Sequence, residues 1–172
     1  MRFCRHLLAM AALGMAARLP KAGNVEELWE NLTQGRDCIT DISQSRYDRR
    51  RNRDALGRYR GGFIDNLDRF DSLFFNISPR EAEMMDPQQR IFLETVWAAV
   101  EDSGHRLSDL AGTKTGLFVG AATRDYIDLM AMNQAELDGY SASGTSHAIL
   151  VNRVSFLLNL HGPSAPLDTA CS

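Results

Sequence analysis

Cysteine is scarce in this 172-residue chain: Cys4, Cys38 and Cys171 are an odd set of 3, and no two of them form a CxxC pair. That argues against a disulfide framework or a zinc ribbon and makes a reducing compartment, the cytoplasm, the default. Long apolar runs are missing as well, none reaching the roughly 18 residues that a membrane span needs. Nor is positive charge in excess. With 19 Lys plus Arg against 22 Asp plus Glu the net charge is −3, which speaks against nucleic acid as a partner of the whole chain. The 4 histidines, His6, His105, His147 and His161, lack the i, i+4 spacing of a metal site. Each reads as a surface or hydrogen-bonded structural residue. Gly116 and Gly120 are not followed by Gly-Lys-Ser/Thr and make no phosphate loop. The small polar run from Gly139 to Gly144 lacks the strand-then-helix setting of a dinucleotide fingerprint.

What is present is a 44% apolar, 24% charged chain of about one globular domain, without repeats or low-complexity tracts. Arg2, Arg5 and His6 precede an apolar stretch, residues 7–17, which fits either the start of a signal peptide or a buried first element. Asn24 with Glu27 has the form of a capping box, and Val25, Leu28, Trp29 and Leu32 follow at helical spacing. This spacing predicts an amphipathic helix that stops at Gly35 and buries Trp29 in the core. Residues 41–62 lose apolar periodicity and carry Arg46, Arg49, Arg50, Arg51, Arg53, Arg58 and Arg60, either a solvated loop or a basic patch for an acidic partner. Asp86-Pro87 opens the clearest helix: Asp86 can cap, Pro87 suits the first helical position, and Gln89 stands where a capping box would use it. Phe92, Val96, Ala99 and Val100 make its apolar stripe, and Gly104 ends it. Residues 115–120 read as a buried strand, residues 146–158 as a helix broken by Gly162-Pro163, and residues 165–171 as a further strand. Strands alternating with helices place the chain in the α/β class.

Among the reactive side chains Cys171 stands apart. It follows Asp168-Thr-Ala170 at the end of an apolar strand, where an α/β chain turns into a helix. A thiol at a helix amino terminus meets unpaired amides and the positive end of the dipole, which favour thiolate. Such a place suits a nucleophile that accepts an acyl group, with backbone N–H groups to hold an oxyanion. On the residues alone, a catalytic nucleophile and a buried structural cysteine both stay open.

The run Phe70-Asp-Ser-Leu-Phe-Phe-Asn-Ile-Ser-Pro-Arg-Glu-Ala82, continuing to Met85-Asp-Pro-Gln-Gln-Arg90, resembles the amino-terminal part of a β-ketoacyl synthase. The variant it looks most like is the ketosynthase domain of a modular polyketide synthase. Gly61-Gly-Phe-Ile-Asp65, Gly116-Leu-Phe-Val-Gly120 and the stretch from Asn152-Arg153 through Gly162-Pro-Ser164 agree in order, and Asp168-Thr-Ala-Cys-Ser172 resembles the family's nucleophile motif. The resemblance runs from about Gly14 onward. Residues 1–13 match poorly, since Ala11-Ala-Leu-Gly14 only approximates the family's β-branched first strand, and residues 14–172 read as a partial synthase domain.

The resemblance implies a thiolase-like fold, layered α/β with a mixed sheet, of which this would be an incomplete first half. It implies an acyltransferase of polyketide or fatty acid biosynthesis, with Cys171 taking an acyl chain from the phosphopantetheine of an acyl carrier protein. Decarboxylative Claisen condensation with malonyl carrier protein would follow. No metal or directly bound cofactor is implied, nor a nucleic acid or membrane partner; a homodimer is. The family's two catalytic histidines, its lysine and its glycine-rich oxyanion loop lie beyond Cys171, so His147 and His161 take none of those roles. The sequence stops one residue past Cys171, so a cut-off fragment, inactive alone and exposing the inner face of its sheet, is the expectation. A non-catalytic remnant, or a module that binds carrier protein or a second copy, is the alternative.

Overall fold

Local chemistry fixes the first helix of the computed structural model, which describes residues 12–42, 60–136 and 138–170. The Asn24 side chain accepts from the Glu27 amide at 2.8 Å and so caps α1 (Val25–Thr33), while Glu27 reaches back to the Gly23 amide at 2.7 Å. The helix stands where the spacing puts it, but Trp29 is 67% exposed, so its placement in the core is overturned. Periodicity identifies an apolar stripe without saying what covers it. Asn31 is the buried member, donating to the Lys21 carbonyl at 2.8 Å.

The next two strands, β1 (Thr40–Asp41) and β2 (Arg60–Gly61), pair antiparallel, Thr40 with Gly61 and Asp41 with Arg60. Arg60 reaches Asp37 at 3.4 Å and Asp41 at 3.7 Å. The arginines from Arg46 to Arg58 lie outside the described residues.

Two helices follow in tight succession. Ser78 caps α2 (Pro79–Met84) by accepting from the Glu81 amide, and Asp86 caps α3 (Pro87–Asp102) by accepting from the Gln88 amide at 2.8 Å. Pro87 occupies the first helical position, and Gly104 follows the last turn with φ +76°. Gln89 does not complete the expected capping box. Its side chain is buried and turned inward, because the Asp86 amide from which it would accept already donates to the Gly144 carbonyl at 2.9 Å, and the interior offers carbonyls to its own amide.

After the short α4 (Leu107–Leu110) come β3 (Leu117–Gly120), α5 (Asp125–Met132), α6 (Gly139–Gly144), α7 (His147–Leu157) and β4 (Ser164–Leu167). β3 and β4 are parallel, Leu117 opposite Ser164 and Gly120 opposite Leu167, with α7 packed against them. Parallel strands call for cover on both faces. Here Leu117 and Val119 are half-buried while Phe118 is 66% exposed, so the run expected as a buried strand is buried on one face only. Residues 12–18, at the margin of the expected first strand, form no strand.

The core is Ile77, Ala82, Met85, Leu93 and Val154, flanked by Phe70, Phe75, Phe92 and Leu117. It joins α2, α3, α7 and β3. Gly144 locks one corner: a Cβ there would overlap the Met84 carbonyl, and its own carbonyl accepts from the Asp86 amide at 2.9 Å. Only glycine lets the α6–α7 junction lie this close to the α2–α3 junction.

Candidate functional site

The carboxyl ends of β3 and β4 lie side by side, held by the Ala121 amide donating to the Leu167 carbonyl at 3.0 Å. In α/β proteins ligands collect outside such strand ends. Beyond Leu167 the Asp168 carboxylate accepts from the Ala170 amide at 3.1 Å, an Asx-type turn, and Ala170 takes a left-handed φ of +50°. A non-glycine residue in that region is strained by roughly 1 kcal/mol or more, and such strain gathers at functional sites. The turn therefore redirects the chain one residue before Cys171. Cys171 itself lies outside the described residues, as do Cys4 and His6.

Across the site, the loop after β3 is pinned at Thr123. Its carbonyl receives the Gln88 side-chain amide at 3.1 Å and lies 2.9 Å from His147 Nε2. His147 is thus a structural hydrogen-bonding residue, as read from the sequence; His105 beside Ser103 and His161 beside Asn159 are likewise bonded. Cys38, half-buried, contacts the Arg36 carbonyl at 3.6 Å. Among the described residues no group of three or more His, Cys, Asp or Glu side chains could hold a metal, and no helix is long and apolar enough to cross a membrane.

Behind the site sits a polar cluster that the sequence reading missed. Arg153 on α7, its side chain 11% exposed, pairs with Glu81 of α2 and donates from Nε to Gln89 Oε1 of α3 at 3.2 Å. Gln89 in turn donates to the carbonyls of Ser143 at 3.0 Å and Ser146 at 3.3 Å. One charged group thus ties three helices and the α6–α7 junction together. The available signal was Arg153 itself, set between Val151 and Val154 in an apolar helix, because a buried charge demands partners.

The same face opens into a groove of about 530 Å³ walled by Tyr140, Ser143, Ile149, Asn152, Arg153 and Phe156. At its edge Arg80 and Asp138 meet at 3.0 Å; the Arg80 hydrogen bond holds the Asp138 carboxyl below its ordinary range, and Asp138 raises Arg80 in return. Asp138 also caps α6 through the Tyr140 and Ser141 amides. The run from Gly139 to Gly144, read only as small and polar, is a helix because of that cap.

Residues 9–172 match the family described as β-ketoacyl synthase, N-terminal domain. Polyketide synthase PksN of Bacillus subtilis (strain 168) is 45% identical over 170 residues, which is 95% of this chain and 3% of that protein. Among solved structures, the ketosynthase from module 6 of the bacillaene synthase of Bacillus subtilis 168 matches with a TM-score of 0.77 and 40% identity, covering 92% of this chain and 25% of that one. The Streptomyces albus JA3453 oxazolomycin ketosynthase domain OzmH KS7 gives 0.79 at 36% identity, covering 92% and 28%. The fold is thus thiolase-like, and the chain spans about a quarter of the solved ketosynthases that it matches.

Proposed function

The chain belongs to the β-ketoacyl synthase family through that family's N-terminal domain, and from this premise we propose that it carries the acyl-accepting part of a polyketide-type ketosynthase, with Cys171 as the nucleophile. The observation that supports the reading is the Asp168–Ala170 turn, which follows the end of the parallel strand β4 and immediately precedes Cys171 in the sequence. An acyl group would arrive as a thioester on the phosphopantetheine of an acyl carrier protein. The Cys171 thiolate attacks its carbonyl carbon, the new sulfur–carbon bond forms, the bond to phosphopantetheine sulfur breaks, and that sulfur leaves and takes up a proton. Cysteine suits both halves of the parent reaction, because thiolate is nucleophilic near neutral pH and leaves readily when a carbanion attacks the acyl-enzyme.

Condensation also requires malonyl carrier protein to lose carbon dioxide, and acid–base groups must manage the charge that develops. None of His105, His147 and His161 is offered for that task, since each is engaged in a structural contact. The 172 residues by themselves therefore yield no condensed product. The test is incubation of the purified chain with acyl and malonyl carrier proteins, followed by mass spectrometry of the carrier-bound thioesters. Both should be recovered unextended. A β-ketoacyl product, absent from the Cys171→Ala chain, would overturn the claim of incompetence while upholding the nucleophile; one that survives Cys171→Ala would overturn both.

A further inference from the structure

The loop between β3 and α5, residues 121–124, joins the strand ends to the helices behind them. At its near end the Ala121 amide donates to the carbonyl of Leu167, the last residue of β4, just before the Asp168–Ala170 turn. At its far end the Thr123 carbonyl meets side-chain nitrogens from two helices. Gln88 Nε2 reaches it at 3.1 Å from the first turn of α3, and His147 Nε2 at 2.9 Å from the first residue of α7. A carbonyl oxygen can only accept, so His147 must carry a hydrogen on Nε2 to make this contact. Gln88 also donates to Asp86 Oδ2 at 3.2 Å, which leaves its amide fully committed. Between the two anchors Ala122, Thr123 and Arg124 are exposed, so the loop buries little of its own and its seat rests on these hydrogen bonds. Segments with few buried contacts open at small cost in free energy, and the loss of one bond changes how often such a loop is seated.

We propose that His147 is a positioning residue for acyl transfer: its Nε2–H holds the Thr123 carbonyl, the seated loop keeps Ala121 on Leu167, and that bond steadies the start of the turn that immediately precedes Cys171. The inference rests on the reading of Cys171 as the nucleophile. Attack on a thioester needs sulfur and carbonyl carbon aligned at about 3 to 3.5 Å, and a small misplacement from a distant change lowers the rate. His147 neither takes nor gives a proton in this role. Neutral or protonated, the ring can present a hydrogen on Nε2, so what the site requires is an N–H at that reach. The role is particular to His147. The side chains of His105 and His161 bond to residues only two positions away, Ser103 and Asn159, and so tie no second element to the strand ends. His147 spans 24 positions and links the start of α7 to the loop.

The test uses the full chain and an acyl carrier protein loaded with a short acyl group. Two quantities are read by mass spectrometry: the initial rate of thioester formation on the Cys171 peptide, and amide hydrogen exchange in the peptide that spans Ala121 and Thr123, with α1 as the reference. Glutamine sets an amide nitrogen near the place of Nε2 and asparagine near that of Nδ1, so the two variants differ in reach more than in polarity. His147→Leu and His147→Asn should each load about fivefold more slowly and speed loop exchange about fivefold, the worth of one net hydrogen bond. His147→Gln should stay within about twofold of the original chain in both, and α1 should not change in any variant. Equal loading by the Asn and Gln variants would overturn the inference. So would slower loading with loop exchange unmoved, or a rise in exchange that α1 shares equally. An original chain that takes no acyl group on Cys171 would overturn the nucleophile reading and the inference with it, whereas loading that His147→Leu leaves unchanged would overturn the inference alone.

Discussion

Arg153→Met should be among the most damaging single substitutions that leave the apolar core untouched. The change keeps most of the aliphatic stem and removes two interactions, the pair with Glu81 and the bond to Gln89 Oε1. Breaking a fully buried ion pair from one side costs about 3 to 5 kcal/mol, because the remaining charge is left without a partner. Glu81 keeps 23% of its side chain exposed, so water recovers part of its solvation and the loss from the pair falls to about 2 kcal/mol. The unpaired Gln89 oxygen, in a residue only 2% exposed, adds about 1 kcal/mol. The expected total is about 3 kcal/mol, read as a shift in urea midpoint at unchanged slope. Exchanging both charges, Arg153→Met with Glu81→Leu, should recover at least half of it, since no buried charge then remains. A loss below about 0.5 kcal/mol for Arg153→Met, or a double variant no better than the single one, would refute the reasoning.

Gly144→Ala should cost about 2 to 3 kcal/mol, because its methyl group meets backbone at Met84 and Met85 that cannot move aside without displacing α3; thermal unfolding would show it. Trp29→Gln should leave stability within about 0.5 kcal/mol and raise solubility, since the indole it removes is mostly in water. The two shifted carboxyls should act with opposite sign in a pH series of unfolding free energies. Asp138, held low by Arg80, contributes stability that is present above its unfolded value and is lost as the pH falls through its depressed folded value. Glu94, raised by burial, contributes stability that is complete below its unfolded value and is lost as the pH rises through its raised folded value. Carbon-detected NMR titration of the two carboxyls would expose a wrong sign in either.

The caps of α1 and α3 were legible in the sequence because a cap and a helical period are local properties. Asn24, Asp86 and Pro87 act within a few residues of themselves, and so they read correctly. The last strand was legible in part, from an apolar run after a Gly-Pro break: it ends at Leu167 instead of running on through residues 168–171, because the Asp168 carboxylate takes the Ala170 amide into a turn. Burial was less so. Trp29 and Phe118 stand on apolar faces that nothing among the described residues covers, and patterning cannot report a missing neighbour. The two-residue strands β1 and β2 are too short to show any period. The Glu81–Gln89–Arg153 cluster joins residues 64 and 72 positions apart, a separation no window along the chain can see. Gln89 was misassigned because its position allowed a local partner, while the folded chain gave it two carbonyls from the α6–α7 junction.

The most direct test of the account is peptide mapping after exposure of the full chain to an acyl carrier protein loaded with a short acyl group. The account predicts a thioester on the peptide that carries Cys171, lost on treatment with hydroxylamine and absent in Cys171→Ala. An adduct that survives Cys171→Ala, or that falls on Cys38 as heavily as on Cys171, would contradict it.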